Sequence, residues 1–302
     1  MGEAAIGWLL LGVALHLANQ VTRGRGWCAI VRAASGPGCG PRRRDAIASW
    51  VAGAGAGGLV SARGGDALRV LLLKRRMPEA GCPLLAGTLV AEGAGECAAG
   101  ALLLAIALAA GVGPELGASS ATAAIAGAAL VVLAALMVVA RRFAPVRRVA
   151  AGVARGCAPL RSPAAYGRAV LPWQLASRAC RLGALACFLA AFGLPVTFAA
   201  VLLVAFAQGG GRLVPFAPAS LGASVALLAA SFGPVTGSAV STERLAAFCV
   251  GTSTVLTVVG TALALAICLR GQALPRQGLS GLAALAAAGR RRFARAATVP
   301  TP

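Results

Sequence analysis

Charge is what this chain has least of. Only 12% of its 302 residues are Asp, Glu, Lys or Arg, against about 25% in soluble domains. That shortage excludes an ordinary soluble fold. A hydrophobic share of 59% and a mean hydropathy of +0.83 point the same way. Acid is scarcer still: 8 Asp and Glu stand against 28 Lys and Arg, a formal charge of +20. In a soluble protein that excess would suggest nucleic acid, but no basic soluble segment is present to carry it. The basic residues instead flank apolar runs. They read as topology signal and as attraction to anionic lipid head groups. There is one His, and the nine Cys include no Cys-x-x-Cys pair. Metal-site spacing is therefore absent, and the odd thiol count argues against a disulfide framework. No phosphate-binding loop, nucleophile elbow or His-Glu-x-x-His is found, so neither a cofactor nor an enzymatic activity is expected. A cleavable leader is not expected either, because Glu3 precedes the first apolar run and no clean cleavage site follows it.

What is present is a series of apolar runs near the ~20 residues that cross a bilayer. The chain predicts an all-α, polytopic helical membrane protein. Residues 4–21 form the first span, and His16 and Asn19 near its far end read as polar residues satisfied between helices, with a proton relay as the alternative. Residues 23–44 read as a basic Gly/Pro loop on the cytoplasmic side, which puts the N-terminus outside. Residues 46–62 are apolar, short and glycine-broken, and a second basic set ends at Arg76. The span 84–112 carries two acids, the loop 113–120 has no basic residue, and 121–140 is a clean span. Residues 141–168 are strongly basic and read as cytoplasmic. This order is self-consistent only if 46–68 enters and leaves on one side, as a re-entrant or interfacial segment.

The second half repeats that logic upside down. Residues 170–193 rise outward, 244–269 return, and 195–240 must start and end outside. That stretch breaks at Gln208–Pro218. It fits a broken hairpin entering from outside, or two full spans joined by a short inside turn. A Gly/Pro break opening from each side is the pattern of an inverted repeat with a site between its halves. The expected organisation is one membrane domain over 1–270, with pseudo-repeats at about 1–140 and 165–270. A basic tail over 271–302 is surface-lying or disordered. The expected setting is the cytoplasmic membrane, with the C-terminus inside.

Candidate site residues follow from charge placed among apolar runs. Arg63, Asp66 and Arg69 recur every three residues and share a face if a helix starts near Gly64. Gly64 and Gly65 running into that helix would expose N–H groups to an anion. Arg forks suit phosphate, with Asp66 holding one of them. Glu92 and Glu96 sit one turn apart within a span, where each carboxylate costs at least ~2.5 kcal/mol unless paired. Arg63, Arg69, Arg178 and Arg181 are the available partners. The two acids are either an internal ion-pair network or a site responsive to protons or head groups. At the second break, Gln208, Gly210 and Arg212 would line a cavity. Pro215 and Pro218 would fix the break, because neither donates a backbone hydrogen bond.

At these two breaks the chain resembles the lysylphosphatidylglycerol synthase transmembrane region family of flippase-like proteins. The family's first motif, approximately Pro-x-Arg-x-Gly-Glu-x-x-Arg, is met by Ser61, Arg63, Gly65, Asp66 and Arg69, with Glu92 and Glu96 in the next span. Its second, approximately Pro-x-x-Pro-Gly-x-x-Gly-x-x-Glu, is met by Pro215, Pro218, Ala219, Gly222 and Val225. Ser61 replaces a proline, Ala219 a glycine and Val225 a carboxylate, and Gly93 stands where Arg is common. The resemblance covers about residues 5–270. It implies binding or translocation of an anionic or zwitterionic lipid, or of a lipid-linked substrate. The alternative is a non-transporting scaffold or accessory subunit of an envelope-lipid enzyme. With no soluble aminoacyl-transferase domain in the sequence, lysyl transfer is not expected.

Overall fold

The computed structural model describes residues 3–36, 38–59, 62–109, 144–210 and 217–270. The expected span 121–140, the loop 113–120 and the tail 271–302 lie outside the described residues. Every regular element among them is helical. In chain order these are α1 (Glu3–Ser35), α2 (Arg43–Leu59), α3 (Ala62–Arg76), α4 (Cys82–Ala109), α5 (Ala144–Gly156), α6 (Pro163–Ala191), α7 (Phe198–Gly210), α8 (Ala217–Thr236) and α9 (Thr242–Leu269). Helices α1 and α9 are long and apolar enough to cross a membrane. At 28 and 29 residues, α4 and α6 have the length too, but they carry charge. The chain is a helical membrane protein.

Three local expectations are corrected. The basic stretch 23–44 is not a loop: α1 continues to Ser35, and the turn begins at Gly36 and Gly38, whose φ angles are +83° and +79°. The glycine-rich stretch Gly53–Gly58 is not a break but part of α2. Packing overrides its low helix propensity, because small residues let helices approach closely. The basic stretch 141–168 is largely helical where described, as α5 and the start of α6.

The helices assemble around α1 and α6, which run antiparallel. Gly12 meets Phe188, Leu15 meets Gly183, and Gly26 meets Trp173. Asn19 accepts a hydrogen bond from Ser177 at 2.7 Å, as expected of a polar group satisfied between helices. A Cβ on Gly12 would stand 2.6 Å from the Phe188 ring, so glycine sets this spacing.

Each of these two helices is followed by a helical hairpin. In the first, Gly53 lies against Arg69, and Gly57 against Gly65, so α2 and α3 are antiparallel. Their 17 and 15 residues reach about 25 and 22 Å, short of the ~30 Å hydrocarbon core. In the second, the Ser224 hydroxyl of α8 donates to the Ala207 carbonyl of α7 at 3.0 Å. The turn into this hairpin has a physical cause. Gly193 takes φ +65°, Gly193 N–H donates to Ala190, and Leu194 N–H donates to Leu189 at 2.9 Å. That pattern satisfies the last carbonyls of α6. Because α1 and α6 are antiparallel, the two hairpins start from opposite ends of the bundle. This is the sense an inverted repeat requires. Helix α9 then runs antiparallel to α2, with Thr257 near Gly58 and Ala264 near Gly55.

Candidate functional site

The site grows from the contact between α2 and α3. A Cβ on Gly65 would collide with the Gly53 carbonyl and come within 2.9 Å of Gly57 Cα. Only glycine allows this approach. The same absence of bulk at Gly53 lets the Arg69 side chain lie across α2, where a Cβ would stand 2.9 Å from Arg69 Nε. Arg69 thereby reaches Trp50, its guanidinium 3.9 Å from the ring centroid. It also donates to Asp66 Oδ1 at 2.7 Å. Asp66 is half-exposed while Arg69 is largely covered.

Trp50 is fully buried and joins this pair to α1. Its indole N–H donates to Gln20 Oε1 at 3.2 Å, and Gln20 Nε2 lies 3.3 Å from His16 Nε2. Arg23 stands 4.9 Å from the same ring. Cation–π contacts of this kind are worth ~2 kcal/mol when desolvated.

Arg23 is the centre of the second half of the site. Its Nη2 lies 2.6 Å from Glu92 Oε1 and 2.7 Å from Glu96 Oε2. Arg178 approaches Glu96 Oε1 at 3.5 Å and donates to the Glu96 carbonyl at 2.7 Å. Trp27 donates to Thr88 Oγ1 at 3.0 Å, and Tyr166 to the Ala91 carbonyl at 3.1 Å, which fixes α4 against its neighbours. Along α4, Glu92 and Glu96 lie about 15 and 21 Å from the Cys82 end. Charges at that depth persist only when paired and hydrogen-bonded. Asp66, Glu92 and Glu96 are matched by Arg23, Arg69 and Arg178, so the cluster is formally neutral.

Between these groups is a cavity of about 530 Å³, within the ~300–1,000 Å³ of small-molecule sites. One wall is charged: Arg23, Asp66, Arg69, Glu92 and Glu96. A second wall is α9, with Leu256, Thr257, Gly260 and Leu263. The glycine face of α2 forms the side between them.

The structure thus brings Asp66, Arg69, Glu92 and Glu96 together and attaches Arg178 through Glu96. Arg181 lies one turn along α6, partly exposed, and does not line the cavity. Gln208 lies near the end of α7 and does not line it either. Gly64 and Gly65 belong to the first turn of α3 and do not interrupt it. Gly210 ends α7, while Pro218 and Gly222 lie within α8. Arg212 and Pro215 lie outside the described residues, as does the side chain of Arg63. Arg23 and Trp50 were not among the expected site residues. Arg23 sits beside Arg25 in what reads as a basic loop. Its signal is the buried face Gly12, Asn19, Gly26 and Ile30, which continues helical spacing past it.

No curated protein and no solved structure matches the chain. A family model for the lysylphosphatidylglycerol synthase TM region matches residues 2–264. That match takes in both hairpins and every charged residue of the cavity, and the chain belongs to the lysylphosphatidylglycerol synthase TM region family.

Proposed function

We propose that this chain binds a phospholipid or lipid-linked head group in the charged cavity and passes it between leaflets of the cytoplasmic membrane. Membership of the family supports a membrane protein concerned with lipid. The finer reading is carried by the Arg69–Asp66 pair, which faces a cavity inside a bundle where unused charge is costly. Arg69 suits a phosphate, and the half-exposed Asp66 suits an amine, so anionic and zwitterionic head groups both find a partner. In this reading the chain makes and breaks no covalent bond. Arg23, Glu92, Glu96 and Arg178 hold α1, α4 and α6 together around the site. Transfer of a fluorescent phospholipid across vesicles holding the purified protein tests this. Arg69→Ala is expected to slow transfer at least ~10-fold, the cost of one desolvated charge-assisted bond. Equal rates would remove Arg69 from the site.

A second reading has its own observation. On α5, Arg147, Arg148 and Arg155 are exposed, and Val149 is exposed with them. This basic, partly apolar surface suits a non-transporting scaffold that holds an envelope-lipid enzyme at one membrane face. Pull-down from membranes with those three arginines changed to Gln tests it, and unchanged partners would count against it.

A further inference from the structure

The cavity has two chemically different walls, and the more apolar one is built by a helix that meets its neighbour glycine to glycine. At the α2–α9 contact, a Cβ on Gly55 would collide with the Gly260 carbonyl, and a Cβ on Gly260 would stand 3.2 Å from Gly55 Cα. The helices touch backbone to backbone there. Among the described residues no side-chain hydrogen bond crosses the contact. Toward the hairpin tip the contact loosens, with Thr257 Oγ1 and Cγ2 at 3.7 and 3.9 Å from a Cβ built on Gly58. On its other side α9 exposes Val258, Leu265 and Leu269, an apolar stripe at helical spacing that suits contact with lipid. Among the described residues, α9 thus lies between the charged cavity and the outer surface along this edge.

Volume gives the consequence. A cavity of about 530 Å³ can enclose a polar head group. It cannot also enclose two acyl chains, each reaching across half of the ~30 Å hydrocarbon core. If the charged wall holds a head group, the chains must leave the cavity. The α9 wall offers Leu256, Gly260 and Leu263, which demand no hydrogen bond from a hydrocarbon, with Thr257 as its one polar side chain.

We propose that the α2–α9 contact is a lateral portal. The acyl chains of the bound lipid lie along Leu256, Gly260 and Leu263 and pass into the bilayer between α2 and α9. This rests on the head-group reading above. At Gly55 and Gly260 the helices meet without interdigitated side chains, and among the described residues no side-chain hydrogen bond has to break there when they part; Ala52 and Ala264, in one buried cluster farther from the hairpin tip, hold the other end of the contact.

The test locks the contact reversibly. Gly58→Cys with Thr257→Cys, in an otherwise cysteine-free chain, puts a Cβ 3.7 Å from the Oγ1 position that the partner sulfur would take, a separation a small side-chain adjustment closes to a disulfide. The purified protein is assayed oxidised and reduced. Two probes are used: binding of water-soluble glycerophosphoethanolamine and glycerophosphoglycerol, and vesicle transfer of the corresponding fluorescent two-chain phospholipids. The expected result is unchanged binding of the soluble probes on oxidation, at least a ~10-fold loss of lipid transfer, and recovery with dithiothreitol. Equal transfer in both states overturns the portal and leaves the head-group site standing. Loss of soluble-probe binding on oxidation also overturns it, since the contact would then be part of the site's packing. Absence of both activities in the reduced protein overturns the head-group reading, and the portal with it.

Discussion

The two hairpins share a topology and differ in almost everything their side chains do. The α2–α3 hairpin brings glycine against glycine and stacks Arg69 on Trp50. It borders a cavity with five ionisable groups besides His16. The α7–α8 hairpin has no charged residue in its described helices. It packs Val201, Leu203, Val204, Leu228 and Phe232 into one cluster with Phe188 and Phe248. Across it the Ser224 hydroxyl donates to the Ala207 carbonyl. Val225, at the position where the resemblance implies a carboxylate, packs against that same cluster. The two hairpins thus differ in what they bury. One half holds charge at depth, and the other supplies apolar packing that keeps the frame in place.

That division can be broken in a graded series. The largest effect is expected from Arg23→Ala, which leaves Glu92 and Glu96 buried without their shared cation. Removing one partner of a buried pair costs about 3–5 kcal/mol, and thermal unfolding in detergent reads it. Arg23→Met with Glu92→Met leaves Glu96 paired with Arg178 and should recover most of the loss. No recovery would mean that Arg23 acts through packing alone. In the apolar half, Phe232→Ala should cost about 3 kcal/mol through its cavity. It should leave binding of a soluble head-group probe intact at temperatures where the protein is folded. Weakened binding there would show that the halves are not separable. Gly65→Ala should destabilise by about 1–3 kcal/mol, because the added Cβ meets backbone on α2. Gly222→Ala in α8 has nothing within 4 Å of its Cβ and should stabilise by up to ~1 kcal/mol. Equal effects of the two glycine changes would end the contrast.

Much of the frame was legible in the sequence, for reasons that can be named. Apolar runs bounded by arginine gave the long helices and the reversal between halves. Two carboxylates inside a span demanded cations, and Arg178 was among those named. The dominant cation was not. Arg23 follows an apolar run and precedes Arg25, so charge bias alone reads it as topology signal. Its true position depends on α1 continuing to Ser35, which is decided by packing against α6. The glycines misled in the same way. Local propensity makes Gly53–Gly58 a break, while the structure uses Gly53, Gly55 and Gly57 as contact surface for α3 and α9. Trp50 carried no sequence signal, since a tryptophan in an apolar run looks like any other core residue.

The contrast between the halves reduces to one direct comparison. Gly93 lines the charged cavity, and Gly222 lies on the apolar hairpin. A Cβ at either meets nothing within 4 Å. Cysteine placed singly at each position, in a cysteine-free background, is reacted with a membrane-impermeant thiol reagent with and without glycerophosphoethanolamine. The prediction is that Gly93→Cys reacts and is protected by the head-group probe, while Gly222→Cys is not protected. A reactive Gly93→Cys that the probe leaves unprotected, or equal behaviour at the two positions, would contradict a head-group site confined to the charged half.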